Sequence, residues 1–84
     1  MSLYYNYAYV LGMRIACKYA LSELKITHKK LMSRSQLRDR LINATVINVL
    51  NEEIIKTEME FAGLNFRINQ LEYELGLIPG EQRD

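Results

Sequence analysis

Eighty-four residues hold one domain at most, and a chain this short closes only a modest core. Its single cysteine, Cys17, excludes an internal disulfide. Its single histidine, His28, without a Cys/His cluster, excludes a structural zinc site, so self-association is the remaining means of adding stability.

The net charge of +1 conceals a strong segregation. Residues 1–42 carry eight cations against Glu23 and Asp39, a net charge of +6, and residues 43–84 carry three cations against eight acids, a net charge of −5. The halves can attract one another within a chain or between copies, and the basic half suits a partner with an acidic surface. An apolar share of 49% with one proline and four glycines indicates a packed, all-α chain rather than a disordered one.

The first predicted helix runs from about Leu3 to Leu24. Leu3, Tyr7, Val10, Cys17, Leu21 and Leu24 form one apolar stripe, and Tyr4, Leu11, Ile15 and Tyr19 form a second. Two stripes on one helix imply burial on two sides. Ala8, Gly12, Ala16 and Ala20 recur every four residues, a small-residue strip that lets another helix approach closely. Arg14, Lys18 and Glu23 interrupt the apolar run and make a membrane span costly, and no basic residues precede it as in a secretory signal. A cytoplasmic protein is expected.

A connector is predicted near residues 25–30, with Thr27 or Ser33 as the N-cap of the next helix, since Ser33-x-x-Gln36 fits a capping box. Lys29 and Lys30 near that helix start would oppose its dipole. His28 reads as a polar connector residue.

The second helical segment starts near Ser33 or Ser35 and carries the clearest pattern in the chain. Ile47, Leu50, Ile54, Thr57, Phe61, Leu64, Ile68, Leu71, Leu75 and Ile78 alternate by three and four, and Thr57 is the one polar member. This is the signature of a coiled-coil-like seam. Met59, Phe66 and Tyr73, each seven residues apart, mark a further strip on the opposite side. Gly63-Leu64-Asn65 resembles a stop and restart, yet the pattern passes through without a slip, which favours a continuous helix. Such a helix spans roughly 60 Å, whereas the first covers roughly 33 Å, so the remainder needs another chain. A break at Gly63 would instead close a three-helix bundle. Gly76 and then Pro79-Gly80 end the helix, leaving residues 1–78 as the domain and 79–84 as a flexible tail.

Catalytic chemistry finds little purchase. Cys17 sits among apolar residues, where a thiolate is disfavoured, and roughly 16 Å of helix separates it from His28. No phosphate loop or metal-ligand spacing is present. The pairs Glu52/Glu53 and Glu58/Glu60 read as solvated faces, and Glu52 and Lys56 have the spacing of an exposed helical ion pair. No enzyme activity and no cofactor are expected.

Binding chemistry is better supplied. Tyr4, Tyr5, Tyr7 and Tyr9 point in most directions around a helix, so some of them face solvent or a partner, where tyrosine adds contact area at low entropic cost. Lys25, Lys29, Lys30, Arg34, Arg38 and Arg40 place six cations within sixteen residues, with Lys30, Arg34 and Arg38 on one stripe.

The reading is a helical hairpin or three-helix bundle that self-associates as a dimer or higher oligomer. It is expected to act as a small interaction module: an adaptor, a chaperone, or an inhibitor that occludes a protein partner. Tyr4, Tyr5, Tyr9, Lys30, Arg34, Arg38 and Arg40 are the partner-binding candidates. Self-association falls to Ala8, Gly12, Ala16, Ile47, Leu50, Ile54, Phe61, Leu64, Ile68 and Leu71. The alternative is a helical oligomer that binds nucleic acid or sequesters a nucleotide through the basic stretch and tyrosines. A membrane-surface helix over residues 3–24 ranks below both.

Overall fold

The computed structural model describes residues 2–33 and 37–77, with the backbone alone for 37–43. Two helices, α1 (Leu3–Met32) and α2 (Leu37–Glu74), fold back on one another as an antiparallel hairpin. Its longest dimension is 56 Å, about the length of α2 at ~1.5 Å per residue. The N-terminus of α1 and the C-terminus of α2 lie at one end of the hairpin, and the C-terminus of α1 and the N-terminus of α2 at the other.

Three of the four helix ends are closed by described residues. Ser2 caps α1 in extended backbone, and its hydroxyl accepts a hydrogen bond of 3.0 Å from the Tyr5 amide. Ser33 closes the other end of α1: its amide donates to the Lys29 carbonyl and its hydroxyl to that of Lys30. Gly76 takes the left-handed conformation, φ +73°, just past α2. Its amide donates to the Tyr73 carbonyl and that of Leu77 to the Glu72 carbonyl, the paired bonds of a Schellman motif.

The predicted connector is helix. Residues 25–30 continue α1, so Thr27 caps nothing and Ser33 ends α1 instead of opening α2. Lys29 and Lys30 sit in the last turn of α1, where their charge complements the carbonyl end of the dipole rather than opposing a helix start. The longer α1, about 45 Å, leaves far less of α2 uncovered than a helix ending at Leu24 would. The length mismatch therefore no longer calls for another chain. α2 is continuous through Gly63, which removes the three-helix alternative. The expected tail, 79–84, lies outside the described residues.

The hairpin is held by one seam. On α1 it consists of Tyr7, Val10, Arg14, Cys17, Leu21, Leu24, His28 and Leu31, and on α2 of Ile47, Leu50, Ile54, Thr57, Phe61, Leu64, Ile68, Leu71 and Leu75. All are buried or half-buried, and both stripes advance by alternate steps of three and four. Outside them, only Asn6, Leu11, Asn65 and Glu72 among the described residues escape full exposure. The tightest packing is Val10 against Ile68 and Leu71, with Tyr7, Leu11 and Leu64 around it.

Gly63 is a direct probe of this continuity. A β-carbon there meets nothing within 4 Å, and the position has helical backbone. Gly63→Ala is expected to stabilise the chain by about 0.5–1 kcal/mol, read as a rise in the thermal midpoint by circular dichroism. A fall would mean that the glycine bends or breaks α2.

Candidate interaction surface

Polar side chains set the register of the seam. The Tyr7 hydroxyl donates to Glu72 Oε2 at 2.8 Å, and Arg14 Nη1 donates to Asn65 Oδ1 at 3.0 Å. Residue 7 is thereby level with 72, and 14 with 65. Arg14 occupies a seam position by lying its aliphatic stem along the apolar surface and turning its head to Asn65. Cys17 Sγ donates to the Thr57 carbonyl at 3.5 Å, and Thr57 is itself buried. Nearer the C-terminus of α1, Lys25 and Glu58 form an ion pair of 3.2 Å, the one such pair among the described residues. Both side chains are about half exposed, which limits its worth to ~0–1 kcal/mol. Glu52 and Lys56 do not pair.

His28 is a seam residue and not part of a connector. Its ring lies on the α1 stripe, and its Nε2 is buried with no hydrogen-bond partner. The register brings it to about the level of Leu50, in an otherwise apolar stretch.

Outside the seam, the hairpin is apolar over much of its surface. Among the described residues, three hydrophobic ones are buried, whereas sixteen large ones are exposed. Most of the exposed ones fall on the outward faces of both helices, whereas Leu3 continues the phase of the α1 seam and Leu77 lies past the end of α2. α1 turns out Tyr5, Gly12, Tyr19 and Ile26, each seven residues apart, with Ala8, Tyr9, Ile15 and Ala16 beside them. α2 turns out Met59, Phe66 and Tyr73, at 71%, 66% and 78% exposure, with Ile55 alongside. Shallow depressions flank this ridge, one lined by Glu52, Ile55, Lys56, Met59 and Glu60 and another by Phe66, Asn69, Gln70, Tyr73 and Glu74.

The structure separates the residues singled out from sequence into distinct surfaces. Tyr4, Tyr5 and Tyr9 are exposed near the N-terminus of α1, and Lys30 is exposed near its other end. Arg34 and the side chains of Arg38 and Arg40 lie outside the described residues, so the basic stripe they form with Lys30 does as well. Ala8, Gly12 and Ala16 are exposed, and a β-carbon at Gly12 meets nothing within 4 Å, so nothing among the described residues packs on this strip. Leu64, Ile68 and Leu71 pack on α1 of their own chain, and Ile47, Leu50, Ile54 and Phe61 continue that stripe. The strongest repeat in the sequence therefore closes the hairpin from within. Free apolar surface is left on the opposite faces, where sequence reading had already marked Met59, Phe66 and Tyr73.

No helix among the described residues is long and apolar enough to cross a membrane, and no group of three or more His, Cys, Asp or Glu side chains among them is placed to hold a metal ion.

Two outcomes follow from the seam. The bond to the Glu72 carboxylate, then burial, raises the Tyr7 phenol above its ordinary value of 10.0, against a small opposing effect of Arg14. The fold thus favours the protonated phenol. Its contribution is complete below pH ~10 and is lost as pH rises through the higher folded-state value. In thermal melts from pH 8 to 11, Tyr7→Phe is expected to flatten the alkaline decline of the midpoint relative to wild type. For His28, replacement by Leu removes an unpartnered buried nitrogen and should stabilise the chain by about 1–3 kcal/mol in urea unfolding. A loss would show that the ring finds a partner in solution.

Compared with protein-family models, with curated proteins and with solved structures, the chain matches none. What it does has to be read from its own surface.

Proposed function

We propose that this chain is a homo-oligomeric protein-interaction module of the adaptor, chaperone or inhibitor kind, acting by covering surface on a partner. One observation carries the reading: among the described residues sixteen large hydrophobic ones are exposed, and rows of them, Tyr5, Tyr19 and Ile26 on α1 and Met59, Phe66 and Tyr73 on α2, run along the outward faces. Isolated apolar residues on a surface are ordinary, whereas aligned rows on a chain with so small a core mark faces that another protein covers. Tyrosine dominates the α1 face and suits it to binding, because each ring adds area while its hydroxyl stays at the wet rim.

The nucleic-acid alternative rests on the basic stretch of residues 25–40, of which Arg34 and the side chains of Arg38 and Arg40 lie outside the described residues. Of the cations on α1, Arg14 is held by Asn65 and Lys25 by Glu58. Lys18, Lys29 and Lys30 remain as exposed charges not engaged in these contacts, set among the tyrosine and isoleucine rows.

Light scattering behind a sizing column, over a concentration series with absorbance at 260 and 280 nm, tests the reading. A mass above 9.9 kDa that grows with concentration, with a protein-like spectrum and little change between low and high salt, is expected. A monomer at every concentration would overturn self-association. Excess absorbance at 260 nm that is lost in high salt would instead favour nucleic acid.

A further inference from the structure

The two outward faces differ in charge and in shape, and the differences are complementary. Apart from Arg14 and Lys25, which are engaged across the hairpin, α1 carries Lys18, Lys29 and Lys30 against Glu23, a net charge of +2. Apart from Glu58 and Glu72, which face α1 of the same chain, residues 44–74 of α2 carry Lys56 and Arg67 against Glu52, Glu53, Glu60 and Glu74, a net charge of −2. Two α2 faces brought together place like charge against like, as do two α1 faces. An α1 face against an α2 face of another copy pairs opposites.

The shapes agree with the charges. The α2 ridge projects Met59, Phe66 and Tyr73 at seven-residue intervals. On the α1 face the small residues Ala8, Gly12 and Ala16 lie among Tyr5, Tyr9 and Tyr19, so the face is low along this strip, and a β-carbon at Gly12 would meet nothing within 4 Å. The α1 row Tyr5, Gly12, Tyr19 and Ile26 and the α2 ridge share the seven-residue repeat of the inner seam, so both keep facing outward as the helices wind around each other. A glycine within an exposed helix costs about 1 kcal/mol relative to alanine, and nothing among the described residues uses the room it makes at position 12.

We propose that copies of this chain associate side by side, like ends together, with the α2 ridge of one seated along the low α1 strip of the next. Carrying the inner register outward brings Phe66, to within a residue, opposite Gly12. Met59 then meets the neighbourhood of Tyr19, and Tyr73 that of Tyr5. Glu52 comes close to Ile26, one turn from Lys29 and Lys30. The contact joins two different surfaces. It therefore generates a ring where the rotation closes and a row where it does not. A row leaves one α1 face with its tyrosines uncovered at one end and one α2 ridge at the other. This inference rests on the self-association proposed above and adds which faces meet.

Two variants separate this arrangement from a symmetric one. Phe66→Gln disables the ridge and leaves the strip intact, whereas Gly12→Gln fills the strip and leaves the ridge intact. Both positions are exposed and glutamine suits a helix, so each variant is expected to keep the helical circular dichroism of wild type. Each alone is expected to self-associate roughly ten-fold or more weakly than wild type in sedimentation velocity. Mixed in equal amounts, they should recombine as a 1:1 dimer, two chains of 9.9 kDa, and no larger. Variants that stay apart on mixing, or a Gly12→Gln variant that associates like wild type, would overturn the pairing of unlike faces while leaving self-association standing. A wild type that is monomeric throughout overturns both.

Discussion

The seam between α1 and α2 is the constraint on which every other feature depends. Two helices cannot enclose a core as three or four can. They share one line of contact, and each residue on that line counts. Here the line is long but chemically mixed, since Arg14, Cys17, His28 and Thr57 interrupt its aliphatic residues. The polar members do not act alike. Arg14 finds Asn65 and Tyr7 finds Glu72, and these bonds penalise a slipped register because they hold only when the partners are level. His28 has an unsatisfied nitrogen and weakens the stretch nearer the C-terminus of α1. Among the described residues the tightest packing lies near the N-terminus of α1 and the C-terminus of α2, where Val10, Ile68 and Leu71 are buried.

Once the seam has turned the strongest repeat inward, the rest of the apolar surface can only face out. The exposed rows are not leftovers from a poorly packed core. They keep the seven-residue phase and lie opposite the seam, so removing them would cost the hairpin little packing. Charge is sorted in the same way, basic on one arm and acidic on the other, yet a single ion pair links the arms among the described residues. Most of the segregated charge thus contributes little to closing the hairpin and stays available at its flanks.

Much of the helical architecture was legible in the sequence. The alternation from Ile47 to Leu75 identified the buried face of α2, and its unbroken phase identified a helix continuous through Gly63 despite a local pattern that imitates a stop. Gly76 was readable as a C-terminal cap because few other residues take its backbone conformation easily. The far half of α1 was not legible, because Lys25-Ile-Thr-His-Lys-Lys has the composition of a connector. What holds it helical is tertiary contact: Leu24, His28 and Leu31 continue the seam, a signal visible only when His28 is allowed an inward position. The N-cap Ser2 was there to be found, a serine just before the apolar run. The candidate surface was half legible. Met59, Phe66 and Tyr73 stood out by spacing, whereas the inward use of Ile47 to Leu71 could be settled only by showing that α1 reaches far enough to cover them.

The placement of the tyrosines has an optical consequence. With no tryptophan, the near-ultraviolet signal of the folded chain comes chiefly from its six tyrosines. Tyr7 alone belongs to the seam, and Tyr4, Tyr5, Tyr9, Tyr19 and Tyr73 stand on the outside. In most small proteins aromatic fluorescence and near-ultraviolet dichroism report on the core. Here five of six chromophores report on the exterior, so such spectra are nearly blind to packing within the hairpin and sensitive to whatever comes to lie against it.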